Sequence, residues 1–469
     1  MLFLAVFLPL FLLIYTFLPA RAAWKNTFVL LASIGFYAWG APRFILVVLS
    51  TTFLDFHLVR RMDACEGAGA RKRWLVASLL LNTGLLVWFK YAGFFADNLD
   101  VLLHEVGAQP IHLLRVVLPI GISFFTFESI TYAVDVYRRV HAPLHDFRQY
   151  QFYILFFPKL IAGPIVRYID IADQIGSHVA RESAGLRVSG FLRFSIGLAK
   201  KVLLANVLGE VADQGFAFDP AQASTAQNWL AAVAYSLQIY FDFSGYSDMA
   251  IGLATIMGIR LPENFNDPYI AKSITEFWRR WHITLGAWMK NYLYIPLGGN
   301  RRSQLRTCFN LLVVFLLSGL WHGAAWGFVL WGLYHGVFLM LERVLPKVSV
   351  PAVLRHVYAL LVVVVGWVLF RSADVASGMA RIRRLFAFDG TGSVGWPLDG
   401  RQCTVLVLAA VFALIALVPA VQRYQLRILD PDAPPAKHFP RALLALALFG
   451  LSVFMLSGAG HDPFIYFRF

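Results

Sequence analysis

The chain has 469 residues, of which 59% are apolar and 14% charged. Soluble domains run at about 45–50% apolar and about 25% charged. A water-coated globular chain, a disordered chain and a fibrous repeat are therefore excluded, and a polytopic membrane protein is expected. Lys and Arg outnumber Asp and Glu by 41 to 27, a net charge of +14; in a membrane chain such an excess marks basic cytoplasmic loops beside anionic lipid, not nucleic-acid binding.

Apolar runs predict spans at 1–19, 26–40, 43–59, 74–95, 111–137, 149–165, 186–209, 226–258, 307–345, 353–370, 402–420 and 441–459. Crossing ~30 Å of hydrocarbon takes about 20 residues, so several of these are short or broken. Residues 1–19 lack a basic lead and a small-residue cleavage site, and read as a retained span, not a signal peptide. Leu118-Pro119-Ile120-Gly121 interrupts 111–137, part of which reads as re-entrant. The run 307–345 is too long for one crossing and reads as two helices. Segments 371–401 and 421–441 read as ordinary loops.

The early loops orient the chain. Segment 60–73 carries Arg60, Arg61, Arg71, Lys72 and Arg73, whereas 96–110 carries Asp97, Asp100 and Glu105 without Lys or Arg. The positive-inside rule puts the first in the cytoplasm and the second outside, with the N-terminus outside. Cys65, Cys308 and Cys403 lie far apart and signal neither a disulfide framework nor a zinc site. No nucleotide loop, HExxH or GxSxG motif is present, and no metal is expected. His57 near Asp55 is not co-facial with it and earns no role.

Polar residues inside apolar runs are expensive, and three blocks stand out. The run Tyr240-Phe241-Asp242-Phe243-Ser244-Gly245-Tyr246-Ser247-Asp248-Met249 reads as a hydrogen-bonded network that fixes helix packing. The run from Ser273 to Tyr292 is amphipathic, aromatic and basic, as in an interfacial helix. Ser273 and Glu276 resemble a capping box there, and Trp278 and His282, four apart, share a helical face. The third block is Gly319-Leu320-Trp321-His322-Gly323-Ala324-Ala325-Trp326-Gly327. Its glycines recur every fourth residue and form a smooth packing stripe on one helix, with His322 beside it. A neutral imidazole there suits a general base in acyl transfer; a structural histidine is the plainer alternative. His335 lies off that face and reads as structural.

These residues resemble the membrane-bound O-acyltransferase (MBOAT) superfamily, and within it the bacterial membrane subunits of alginate and cellulose O-acetylation. The resemblance runs nearly end to end. It is carried by Leu118-Pro119-Ile120-Gly121-Ile122-Ser123-Phe124, by Leu160-Ile161-Ala162-Gly163-Pro164 and by the Tyr240–Ala250 block. It continues through Ile274-Thr275-Glu276-Phe277-Trp278-Arg279-Arg280-Trp281-His282, Gly319-Leu320-Trp321-His322-Gly323 and Pro463-Phe464-Ile465-Tyr466-Phe467. One departure is Lys290-Asn291-Tyr292, where the family often has Arg-Asp-Tyr; Asn291 is therefore given no catalytic role.

The resemblance implies an all-α membrane bundle, a single domain over 1–469, with a ring of roughly 11–13 spanning helices around a central tunnel. It implies His322 as the essential histidine and His282 as the second polar residue of the active site. A cytoplasmic acetyl thioester, acetyl-CoA or an acetylated carrier, would be the donor substrate, with no bound cofactor. The acceptor would be an exported polysaccharide such as alginate or cellulose. Expected partners are membrane lipid, a periplasmic SGNH-type acetyltransferase and the polysaccharide synthesis and export complex. The location implied is the bacterial inner membrane. His322 would serve as general base or as transient acyl carrier, and His282 would position the thioester or share the proton. Arg279, Arg280 and Lys290 would hold donor phosphates or simply anchor the interface. A transporter or flippase, and a non-catalytic scaffold, are the rival readings.

Overall fold

The computed structural model describes residues 2–110, 117–345, 349–430 and 434–458. The described residues form helices joined by turns and contain no strand. Among the described residues five helices are long and apolar enough to cross a membrane: Ala68–Glu105, Gln304–His322, Ala352–Arg371, Gly400–Leu417 and His438–Gly458. The protein is thus an all-α polytopic membrane protein. Other expected spans appear as helices, such as the 32-residue Thr225–Ile256, but 149–165 is not one crossing: it holds two short helices, Phe147–Leu155 and Phe157–Leu160, followed by non-helical chain. The terminal Pro463–Phe467 motif and residues 111–116 of the expected 111–137 span lie outside the described residues.

The chain divides into two compact units, Met1–Arg187 with Leu253–Pro262, and Val188–Gly252 with Glu263–Phe469. In the first, helices Ile45–Ala64 and Ala68–Leu86 form a hairpin whose closed end gathers Arg60, Arg61, Lys72 and Arg73. Arg71 is buried at that end and donates to the carbonyls of Val136 and Tyr137, at 3.2 and 3.3 Å. Helix Ile122–Tyr137 begins directly after the Pro119-Ile120-Gly121 interruption. Two buried acids lie in this unit. Asp55 accepts from Ser78 at 2.5 Å, Asn82 at 2.8 Å and the Tyr150 hydroxyl at 2.6 Å. Glu128 pairs with Lys159 and also accepts from the Val166 N–H. His57 is exposed and sits on the carbonyl of Phe53, away from Asp55.

In the second unit the Tyr240–Met249 block does form the expected packing network. Gly245 faces Gly197, so closely that a Cβ on Gly245 would lie 2.7 Å from the Gly197 carbonyl oxygen. That approach brings the neighbouring π-helical turn Lys200–Ala205 onto the acids. Lys201 pairs with Asp242 at 2.5 Å, and Asp248 pairs with Lys200 and Arg193, both at 2.7 Å. Arg193 continues to Glu263 at 2.6 Å. Buried charge in apolar surroundings is tolerated when it is paired in this way.

The 307–345 run is two helices, Gln304–His322 and Trp326–Val344, as its length requires. The glycine stripe is corrected, however. The first helix ends at His322, Gly323 is extended (φ −163°), and Gly327 belongs to the second helix. The close seam is instead between Gly319 and Gly332 across the hairpin. A Cβ on Gly319 would come within 3.1 Å of the Phe328 carbonyl carbon, and one on Gly332 within 3.0 Å of that of Phe315. Gly332→Val is therefore expected to cost about 1–3 kcal/mol by overpacking. The readout is the melting temperature of the detergent-solubilised protein; an unchanged value would mean the seam can open freely.

Two segments expected to be loops contain helices. Within 371–401, Val375–Leu385 is capped by Asp374, whose carboxylate accepts from the Ser377 N–H at 2.8 Å. Its Arg381 is buried and donates to Asn228 at 2.9 Å. Pro419–Leu429 overlaps 421–441. Neither helix is apolar enough to register as a span, and an amphipathic helix carrying arginines looks like a loop when only apolar runs are sought.

Candidate active site

His322 closes helix Gln304–His322 and is 8% exposed. Its imidazole is packed by rings: Trp321 at 4.9 Å, Trp331 at 5.2 Å and Phe370 at 5.2 Å between centroids. Trp331 comes from helix Trp326–Val344 and Phe370 from Ala352–Arg371, so three helix segments converge on this one side chain.

His282 reaches the same place by a different route. The expected continuous helix over 273–292 is broken. Ser273 accepts from the Glu276 N–H at 2.9 Å, but the reciprocal half of a capping box is not made, because Glu276 accepts from the Lys272 N–H. The carboxylate of Glu342 completes the cap, taking the N–H groups of Ile274 at 2.6 Å and Thr275 at 2.9 Å. This helix runs only Ile274–Arg280. Trp281 is extended, and His282 turns into the left-handed region (φ 45°) before helix Ile283–Trp288. Trp278 and His282 accordingly do not share a helical face. Trp278 packs on Phe315, Trp331 and His335, whereas His282 packs edge-on to Phe243 at 4.7 Å and beside Trp321 at 5.9 Å. The break is held by two backbone bonds to the 264–266 segment: Ile283 N–H to Asn264 O and Asn266 N–H to Arg280 O, each 2.9 Å.

The two histidines therefore flank one indole, that of Trp321. His282 is 2% exposed. Its Nδ1 lies 2.9 Å from Asn264 Oδ1, and its Nε2 has no hydrogen-bond partner among the described residues. His335 is fully buried beneath Gly366, between Trp278 and Trp331; it lines the aromatic cluster without reaching Trp321. Around them lies the core of the unit, which includes Trp281, Trp331, Trp367 and Phe370.

Residues 78–372 match the sequence model of the MBOAT, membrane-bound O-acyltransferase, family. The chain belongs to that family. It is 40% identical to a probable alginate O-acetylase of Azotobacter vinelandii, across 100% of this chain and 99% of the relative. It is 39% identical to a probable alginate O-acetylase of Pseudomonas aeruginosa, with the same coverage of both. A peptidoglycan O-acetyltransferase of Helicobacter pylori is 35% identical across 83% of this chain and 79% of its own. The protein is thus a multi-pass membrane O-acyltransferase.

In this O-acyltransferase the three basic residues differ in their surroundings. Arg280 is engaged by Glu276 at 2.9 Å and by the Asn266 carbonyl at 3.1 Å. Arg279 and Lys290 are exposed and make no ion pair among the described residues. Asn291 donates to the carbonyl of Ala287 at 2.8 Å, one turn back on its own helix. Asn264 is the residue that sequence reasoning missed. It stands eighteen positions before His282 in Glu263-Asn264-Phe265-Asn266-Asp267-Pro268, and no local spacing ties the two. Its loop is polar and Pro-terminated, which by itself signals a turn and nothing more.

Proposed function

We propose that the protein moves acetyl groups from a cytoplasmic thioester across the bacterial inner membrane for O-acetylation of an exported polysaccharide. Alginate, cellulose or a related exopolysaccharide is the acceptor class. The observation that carries the reading is the placement of His282 and His322 against one buried indole in a member of the O-acyltransferase family. The relatives named as alginate O-acetylases support the polysaccharide class.

In the simplest form, His322 removes the proton of the acceptor hydroxyl as its oxygen bonds to the thioester carbonyl carbon. The carbon–sulfur bond then breaks, and the thiolate takes back the proton. In the alternative form, the His322 nitrogen carries the acetyl group first, releases the thiol, and yields the group to the acceptor in a second step. Either form fits delivery to a periplasmic SGNH-type partner working with the polysaccharide synthesis and export complex. The donor is acetyl-CoA or an acetylated carrier. Arg279 and Lys290, exposed and without an ion-pair partner among the described residues, are assigned to its phosphates, with Arg280 beside them.

The test is thioester turnover by the full chain in lipid vesicles, with acetyl-CoA as the probe and thiol release as the readout. Turnover that needs His322 is expected. Arg279→Ala with Lys290→Ala is expected to raise KM for acetyl-CoA about tenfold while leaving kcat within about twofold, since exposed charges steer and bind. Polysaccharide movement without any thioester turnover, in these vesicles or with acetylated carrier supplied, would establish the transporter instead.

A further inference from the structure

The residue that orients His282 is buried, comes from a distant stretch of sequence, and decides which ring nitrogen carries the proton. Asn264 is 0% exposed. Its side-chain oxygen faces three groups: Nδ1 of His282 at 2.9 Å, the Thr284 hydroxyl at 2.9 Å and the Thr284 N–H at 3.4 Å. Its amide nitrogen donates to the Ser247 hydroxyl at 3.1 Å. A backbone N–H only donates, so the side of Asn264 facing Thr284 is the oxygen. An amide oxygen only accepts. Nδ1 of His282 must therefore carry the hydrogen, and in the neutral ring Nε2 is left with a lone pair. Nε2 is buried and unpartnered among the described residues. A buried acceptor with no partner is costly, and a substrate donor would satisfy it.

We infer that Asn264 is a positioning residue for acyl transfer, holding His282 as the Nδ1–H tautomer so that Nε2 accepts a proton during the reaction. The inference rests on the proposed function and sharpens it. A neutral His282 in this tautomer has no hydrogen on Nε2 to offer a thioester carbonyl oxygen. Of its two possible roles, positioning the thioester or sharing the proton, the geometry selects the second. The O–H bond of the acceptor breaks, the proton passes to Nε2 directly or by way of His322, and it returns to the departing thiolate. Ser247 and Thr284 fix Asn264 in turn. The two backbone bonds from Asn264 and Asn266 keep His282 in its left-handed turn, a conformation that a residue with a side chain holds only when its surroundings impose it.

The decisive measurement is the imidazole nitrogen spectrum of the full chain in lipid, labelled with 15N-histidine. The His282 signals are identified by their loss in His282→Gln. A protonated Nδ1 and a bare Nε2 are expected; a protonated Nε2 in the neutral ring would overturn the inference, and this result needs no Asn264 variant to fold. In cells, Asn264→Ala is expected to lower polysaccharide O-acetylation about 10- to 100-fold at matched abundance, the usual cost of removing a partner that orients a functional histidine. Asn264→Asp keeps an acceptor oxygen on Nδ1 and is expected to restore most of the activity, whereas Asn264→Leu, which fills similar space without an acceptor, is expected to stay as impaired as alanine; a merely steric role predicts the opposite for Leu. Full activity in Asn264→Ala alongside an inactive His282→Ala would sink the inference and leave the proposed function standing. Full activity in His282→Ala would sink both.

Discussion

His322→Ala is expected to lower O-acetylation of the exported polysaccharide by about 10²–10⁴-fold, the usual contribution of a positioned acid–base group. Abundance in the membrane should stay near that of the unaltered protein. The ring sits at the last residue of its helix, so truncation leaves the main-chain helix ladder and the Gly319–Gly332 seam in place. Its loss does open space among Trp321, Trp331 and Phe370, and some stability will go with those contacts. His322→Gln fills more of that space and still lacks a basic nitrogen. It is expected to be as inactive as the alanine variant and closer to normal in melting temperature. O-acetyl content measured by proton NMR on the isolated polymer, against blots of the membrane fraction, separates the two effects. Wild-type acetylation in either variant at normal abundance would remove His322 from the chemistry. Acid-quenched protein that retains labelled acetyl on His322 would favour the acyl-carrier form over the base.

The second large effect concerns folding. Glu128 and Lys159 pair with side chains 1% and 0% exposed, and Lys159 also lies over the Tyr153 ring at 5.0 Å. Removing one member strands the other charge in an apolar interior, at a cost of about 3–5 kcal/mol. Glu128→Ala and Lys159→Met are each expected to reduce the amount of folded protein severely. Taking both charges away strands nothing. Glu128→Gln with Lys159→Met is thus expected to recover much of the lost stability, a coupling readable as a double-mutant cycle. Melting temperatures of the solubilised proteins, with membrane abundance, supply the comparison. Single variants that melt like the unaltered protein would show that water reaches the pair.

The reading of the second unit's polar block as a packing network came from sequence because acids inside an apolar helix demand partners, whichever segment supplies them. Two acids in an apolar helix demand cations, and the Lys200-Lys201 pair lies on the preceding helical segment. The split of 307–345 into two helices was legible because length against bilayer thickness is a one-dimensional constraint. The break at Trp281-His282 was not legible. The stretch from Ser273 to Tyr292 has good helical periodicity, and what ends the helix after Arg280 comes from elsewhere. Glu342 caps its start, while the carbonyl of Asn264 and the N–H of Asn266 take the backbone groups on either side of the turn. Arg381 was hidden likewise, because a buried arginine satisfied by Asn228 and the carbonyls of Phe216 and Phe218 looks like a loop charge in sequence.

By itself, then, the sequence determined the solvent and the kind of element. A chain with this little charge must place its apolar side chains in lipid, and in lipid the backbone must bond to itself as helix. It also singled out His322 and His282 as titratable groups beside tryptophan. Only the tertiary structure decided that the two rings lie against the same indole, that His282 stands in a left-handed turn, and that Asn264 holds its Nδ1. The physical reason is range. Hydropathy and helical period act between neighbours a few residues apart, whereas a hydrogen bond that selects one nitrogen of one ring depends on where a loop eighteen residues away comes to rest.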